Sequence, residues 1–209
     1  MEKLVVTIGR QCGSGGHTIG RLLAGRLGLA FYDKEIVELT AARTKFSPDF
    51  IRTHGEYFQG GSLGHVMGYG TRFNGPAKTG SALTDQLHHA QSEVILEVAR
   101  KGPCVIVGRC GDCVLAGKVP ALNVFIHSDM PHKVQRSVEE HGLDPERAAS
   151  ILARRDKARA HHYRFYTEKK WGDPRNYDLC LDSGRLGIEN CVAIIADTYG
   201  RMRVLAENG

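Results

Sequence analysis

The first hydrophobic run, LVVTI at 4–8, is short, rich in β-branched residues and stopped by Gly9, which is the pattern of a buried strand. Behind a glycine-rich stretch, Ile19, Leu22, Leu23 and Leu27 recur at helical spacing, so 18–28 is expected to be a helix. AFYD (30–33) reads as a short second strand and 34–44 as a helix, with a further helix after Pro48. Eight glycines fall within 55–80, and that stretch is expected to be a mobile loop or the edge of a lid. Helix resumes over 83–101, with Leu87, Gln91, Val94, Ile95 and Val98 on one side. PCVIVG (103–108) and ALNVFIH (121–127) are further buried strands, and 130–140 and 145–170 further helices. YDLCLD (177–182) alternates like a strand, and 187–206 is an amphipathic closing helix. Strands and helices that alternate in this way predict an α/β three-layer sandwich. Its parallel five-stranded sheet would be covered by helices on both faces and joined by right-handed crossovers. Ligands of such sheets sit beyond the carboxyl ends of the strands, and the loop at 9–18 lies at one of those ends.

That loop reads Gly9-Arg10-Gln11-Cys12-Gly13-Ser14-Gly15-Gly16-His17-Thr18. Small residues let backbone N–H groups converge on an anion, and the start of the following helix adds partial positive charge. A phosphate-binding loop is therefore the expectation, with a plain tight turn as the alternative. The strict spacing G-x-x-x-x-G-K-[ST] is not met. Anchored on Gly15, the pattern puts Gly16 where lysine belongs and His17 where the hydroxyl belongs, with Thr18 one place later. Backbone approach to an anion would require that no side chain stand at 15. Gly15→Val is accordingly expected to abolish phosphate binding while leaving thermal stability nearly unchanged.

Composition narrows the function classes. The 209 residues suit one domain, and a 42% hydrophobic and 24% charged content is that of an ordinary folded protein. No run approaches the ~20 apolar residues of a membrane helix, and MEKLVVTIGR lacks a signal peptide's apolar core, so the expectation is a cytoplasmic protein without a membrane partner. Six cysteines in such a chain do not suggest a disulfide framework. Cys110 and Cys113 form a C-x-x-C without a second pair, and small buried thiols beside a strand are the expectation.

The net charge of +5 is uneven. Residues 147–175 hold nine Lys/Arg against three acids and carry +6, which leaves −1 for the remainder. A local anionic partner is implied, either nucleotide phosphate or nucleic acid, against the alternative of a solvated helix face. Arg155, Arg159, His162 and Tyr166 share one helix face, and Arg154 and His161 lie beside it. Like charges one turn apart oppose helix formation, so the arginine pair makes most sense as a clamp whose planar forks take phosphate oxygens. The nearby Tyr163, Phe165 and Tyr166 would suit a nucleobase or RNA, but most of them are expected simply to pack the helix down.

Three blocks together resemble the bacterial cytidylate kinase-like proteins. They are TIGRQCGSGGHTIGRLLAGRLGLAFYDKEI at the start, CVIVGRCGD at 104–112, and RRDKARAHHYRFYTEKKWGDPRNYDLCLDSGRLGI at 154–188. The last is the longest and most specific, and 45–82 is the least recognisable part. The resemblance implies the fold of a P-loop nucleoside triphosphate hydrolase with a helical lid. It implies one kinase domain over 1–209, with 34–82 as the acceptor-binding lobe and 145–175 as the lid. The implied reaction moves the γ-phosphoryl group of ATP, with Mg2+, to a nucleoside monophosphate, CMP or dCMP foremost. Gly13, Ser14, Gly15, Gly16, His17 and Thr18 would hold the ATP phosphates, with Thr18 also at the metal. Asp33 and Arg109 would face the acceptor, although Asp33 could instead cap the helix that starts at Lys34. Arg155 and Arg159 would close over the transferring group, and they or Arg10 would replace the missing loop lysine. The resemblance leaves a homodimer open and does not favour nucleic acid as partner. Without the lysine, the alternative is a nucleotide-binding regulator with weak or no turnover.

Overall fold

The computed structural model describes residues 4–55 and 78–208, the side chains of 78–82 and 206–208 excepted. Five strands form one parallel sheet: β1 (Val5–Arg10), β2 (Ala30–Tyr32), β3 (Cys104–Val107), β4 (Ala121–His127) and β5 (Leu179–Asp182), in the spatial order β2-β3-β1-β4-β5. Helices α1 (Gly16–Leu27), α2 (Lys34–Arg43), α3 (Pro48–His54) and α4 (Lys78–Lys101) precede β3 in the chain. Behind β3 come α5 (Gly111–Leu115), α6 (Met130–His141), α7 (Pro145–Thr167), α8 (Ser183–Leu186) and α9 (Ile188–Asn208). The α/β sandwich expected from the hydrophobic pattern is the observed architecture. The short α5 and α8 were not legible, because neither is long enough to show a period. The glycine-rich stretch at 55–80, expected as a mobile loop or lid edge, lies outside the described residues apart from its ends.

The two faces of the sheet are filled differently. Val6, Ile8, Val105, Leu122, Val124 and Ile126 pack with Ile19 and Leu23 of α1 and Cys191 and Ile195 of α9. Val5, Cys104 and Ile106 pack on the other face with Ile36 of α2, Val94, Ile95 and Val98 of α4, and Leu115 of α5. The five residues assigned to one side of α4 are all buried, Gln91 among them. On α1 the expected stripe needs one correction, because Leu22 is exposed. Gly20 sits in the buried stripe in its stead. A Cβ there would stand 3.0 Å from Val107 and 3.1 Å from Phe31, so glycine is what lets α1 lie close on the sheet.

Strand order sets the place of chemistry. From β1 the chain goes to β2 and β3 on one side of β1, then to β4 and β5 on the other. Beyond the carboxyl end of β1 the connections therefore diverge, and a crevice opens there. Among the described residues no helix is long and apolar enough to cross a membrane.

Candidate functional site

The β1–α1 loop is held at its carbonyls. Gln11 N donates to Ile126 O at 2.9 Å, and the Gln11 side chain accepts from Ser128 N. Ser14 Oγ donates to Gln11 O, Ser183 Oγ to Ser14 O at 2.6 Å, and Arg136 Nη1 to Gly13 O at 3.1 Å. Gly13 and Gly15 are left-handed, with φ of 76° and 74°. Gly15 is the residue just before α1, and no side chain caps that helix. The N–H groups of Gly13, Gly15 and Gly16 donate to no acceptor among the described residues. At a helix start, such a turn of outward donors is suited to an anion.

Gly13 also permits a close approach. A Cβ there would lie 2.7 Å from Ser137 Oγ and 2.8 Å from Lys133 O, both on α6. A Cβ at Gly15 would meet Ile188 Cδ1 at 2.5 Å. Position 15 is therefore constrained twice, by φ and by space. The expectation that Gly15→Val leaves stability nearly unchanged is corrected by this geometry.

His17 and Thr18 occupy the first turn of α1. The His17 ring is committed, with Nδ1 2.6 Å from Asp33 Oδ2. Asp33 directly precedes α2, yet its carboxylate makes no cap hydrogen bond, so the capping alternative does not hold. It instead faces the loop, with Arg10 Nη2 3.7 Å from Oδ1, while Glu35 accepts from Asp33 N. Arg10 ends β1 and is buried.

Arg109 follows β3 in a turn where Gly108, Arg109 and Cys110 are all left-handed, with φ of 76°, 58° and 54°. For the two non-glycine residues this costs of order 1 kcal/mol each. The strain is maintained because α5 starts at Gly111 directly behind the turn. Arg109 is buried, and its guanidinium reaches the end of α3, where a Cβ on Gly55 would collide with it and with the Gln91 amide.

Helix α7 lies across the loop. Arg159 Nη1 donates to Arg10 O at 3.2 Å, and Arg155 Nη1 is 4.0 Å from Cys12 Sγ. Between them Asp156 accepts from Cys12 N at 2.6 Å through Oδ1 and from Lys133 Nζ at 2.6 Å through Oδ2. Farther along, Tyr163 OH donates to Asp112 Oδ2 at 2.6 Å. Burial and that carboxylate push the phenol far above its ordinary pKa, so it remains a donor. His162 is buried, and Tyr166 stacks on His88 of α4 with centroids 3.8 Å apart. Tyr163 and Tyr166 thus pack the helix down as expected, whereas Phe165 is half exposed.

Under α7, between the carboxyl ends of β1 and β3, lies a cavity lined by Arg10, Arg109, Asp112, Arg159, His162 and Tyr177, among others. It gathers three guanidinium groups and suits an anionic guest. The predicted Arg10, Arg109 and Arg159 thus meet at one cavity, Asp33 joins them through Arg10, and Arg155 stands over the loop. Cys110 is buried beside this cavity. Cys113 lies 3.5 Å from Tyr163 OH, and burial and Asp112 raise its pKa. No group of three or more His, Cys, Asp or Glu side chains suited to a metal occurs among the described residues.

Sequence reasoning missed Lys133, Arg136, Asp156, Asp112 and Gln91. For Lys133 a signal existed: with Ser137, one turn on, it forms the inward stripe of an amphipathic helix, a place where a charge is out of pattern.

Comparison with known proteins places this geometry. The chain is 26% identical over 125 residues to a uronate isomerase of Corynebacterium glutamicum. That alignment takes in 60% of this chain and 24% of the other, so the chain spans about a quarter of that relative's length. A crystal structure of an uncharacterized protein from Eubacterium ventriosum superposes with a TM-score of 0.69, at 24% identity, covering 95% of this chain and 99% of that one. A gluconokinase from Sinorhizobium meliloti superposes at 0.56, with 15% identity and 96% of each chain covered. The sheet order and glycine loop are thus those of a P-loop kinase fold, and with the family model matching residues 5–185, the chain belongs to the cytidylate kinase-like family.

Proposed function

We propose that the protein is an ATP-dependent phosphotransferase whose acceptor is a nucleoside monophosphate, with CMP and dCMP the first candidates. The observation that carries this reading is the meeting of three parts. The left-handed loop of Gly13 and Gly15 offers N–H groups, α7 brings Arg155 and Arg159 onto it, and a cavity beside it is lined by Arg10, Arg109 and Arg159. Phosphoryl transfer asks the protein for positioning and for positive charge around the moving group more than for covalent chemistry. In this reading residues 13–18 hold the ATP phosphates, Arg155 and Arg159 close over the transferring group, and Arg109 holds the acceptor. Asp33 acts at the acceptor edge through Arg10. Residues 34–82 are the acceptor lobe and 145–175 the lid.

Magnesium fits this site. Mg2+ keeps several waters and binds through substrate phosphates with one or two protein oxygens, so the half-buried Thr18 hydroxyl beside the loop suffices without a cage of carboxylates. Bound there, it would neutralise charge on the triphosphate.

The test is an ADP-release assay with CMP, dCMP, UMP and AMP as acceptors. The expected result is turnover stimulated by CMP or dCMP above the others. Tight ATP binding without stimulation by any acceptor would instead support a nucleotide-binding regulator, the role that the absent loop lysine favours.

A further inference from the structure

The loop carries glycine at 16, where a phosphate-binding loop of strict spacing has lysine. A buried ammonium on another element nevertheless stands one carboxylate away from the loop. Lys133 projects from α6 with a side chain 5% exposed. Its helix is fixed against the loop by the close approach at Gly13 and by Arg136 on Gly13 O. The Lys133 ammonium sits 2.6 Å from Asp156 Oδ2, and the other oxygen of that carboxylate takes the Cys12 N–H, also at 2.6 Å.

An acidic side chain thus sits at the edge of an anion-binding loop, with one oxygen on the Cys12 N–H and one on an ammonium, beside the open N–H groups of Gly13, Gly15 and Gly16. A phosphate group at such a loop is held in the same manner. Burying two charges is costly, and an apolar pair could join α6 to α7 without that cost. A carboxylate at this spot makes sense if it holds the place of an anion that comes and goes.

We propose that Lys133 supplies the cation that the loop lacks at position 16, and that Asp156 holds this cation, at the Cys12 edge of the loop, until ATP draws it away. When the triphosphate enters, the Asp156 carboxylate gives up Cys12 N–H and Lys133 Nζ. Lys133 turns from the carboxylate to the phosphate. This deepens the kinase reading and rests on it.

ATP affinity, measured by calorimetry with Mg2+ and without acceptor, tests the assignment on four proteins: wild type, Asp156→Asn, Lys133→Met, and the double variant Lys133→Met/Asp156→Asn. Asp156→Asn removes a competing anion and should tighten binding by about 10-fold. Lys133→Met should weaken it by about 10–100-fold. It also leaves a buried carboxylate without its cation and is expected to unfold at lower temperature. The double variant removes the pair together, restores the thermal midpoint toward wild type, and should bind ATP about 10–100-fold more weakly than Asp156→Asn alone. Equal affinity in the double variant and in Asp156→Asn overturns the role given to Lys133 and makes the pair a strut between helices. Weaker binding by Asp156→Asn overturns the role given to Asp156. Failure of the wild-type chain itself to bind ATP overturns the kinase reading as a whole, a result separate from the other two.

Discussion

At the scale of single residues, Arg155 and Arg159 share a helix face but not an environment. Arg155 is exposed, with only a 4.0 Å approach to the Cys12 sulfur, while Arg159 is half-buried and bonded to Arg10 O. Arg155→Ala should therefore leave the thermal midpoint where it is and lower kcat by roughly 10²-fold, with a smaller effect on ATP affinity. Lysine at 155 should rescue only part of the loss, because an ammonium cannot make the two-pronged contact. Arg159→Ala should lower kcat similarly and also cost stability. Single-turnover rates and thermal melts on both variants check this, and unchanged kcat in both would reduce the face to solvated charge. Gly15→Val brings a second contrast. A β-branched residue at φ 74°, with its Cβ 2.5 Å from Ile188, should lower the melting temperature as well as abolish ATP binding. An unchanged melt would mean that the loop absorbs the left-handed φ and that the Ile188 side chain moves aside. The sequence made these residues visible through small-residue content and one-turn spacing. It hid Asp156, which reads as one acid in a basic helix, because its partners lie 144 and 23 residues away.

At the scale of elements, strand and helix periods were legible because each long element buries one continuous stripe, as α4 does from Leu87 to Val98. What was not legible is how α4 and α7 meet, since that contact joins distant segments through polar rings. His88 stacks on Tyr166, stands edge-on to His162 with centroids 5.9 Å apart, and has Asp85, His89 and Thr84 on its own helix. Tyr166 OH donates to Asp85 at 3.2 Å, and burial pushes that phenol to about 12. Burial lowers the His88 pKa below its ordinary 6.5, an effect that Asp85 opposes and His89 reinforces. The folded state therefore binds a proton less readily than the unfolded state. Below pH 6.5 the unfolded chain takes up a proton at His88 that the folded chain does not, and stability falls as pH drops toward the lowered value. Above 6.5 both states are neutral there and the contribution is constant. His88→Phe keeps an aromatic partner for Tyr166 and removes the titration. Denaturant midpoints of this variant should decline less than those of wild type between pH 7 and 5.5. Parallel curves would place the pH dependence elsewhere in the molecule.

At the scale of the whole molecule, α7 is the element that joins the parts. One stretch carries Arg155, Asp156 and Arg159 onto the loop, the next carries Tyr163 onto Asp112 of α5, and the last carries His162 and Tyr166 onto α4. These three contacts lie within twelve residues of one helix, so a ligand that fixes α7 on the loop should also fix it on α5 and α4. Ligand at about 100 times its Kd adds about 2.7 kcal/mol to the free energy of unfolding. The informative question is where the added protection appears. With ATP and Mg2+, amide exchange should slow in 11–18, along 152–166, and at 84–91 of α4. Tyr163→Phe deletes the phenol that spans from α7 to the Asp112 carboxylate, a bond to a charged group of about 1.5–3 kcal/mol. The middle contact is then loosened while every loop contact stays. In that variant ATP should still protect 11–18, and the gain at 84–91 should shrink. Equal gains in both proteins would show that α4 is held independently of α7. Protection confined to 11–18 in wild type would show that the helix moves in pieces rather than as a single bracket.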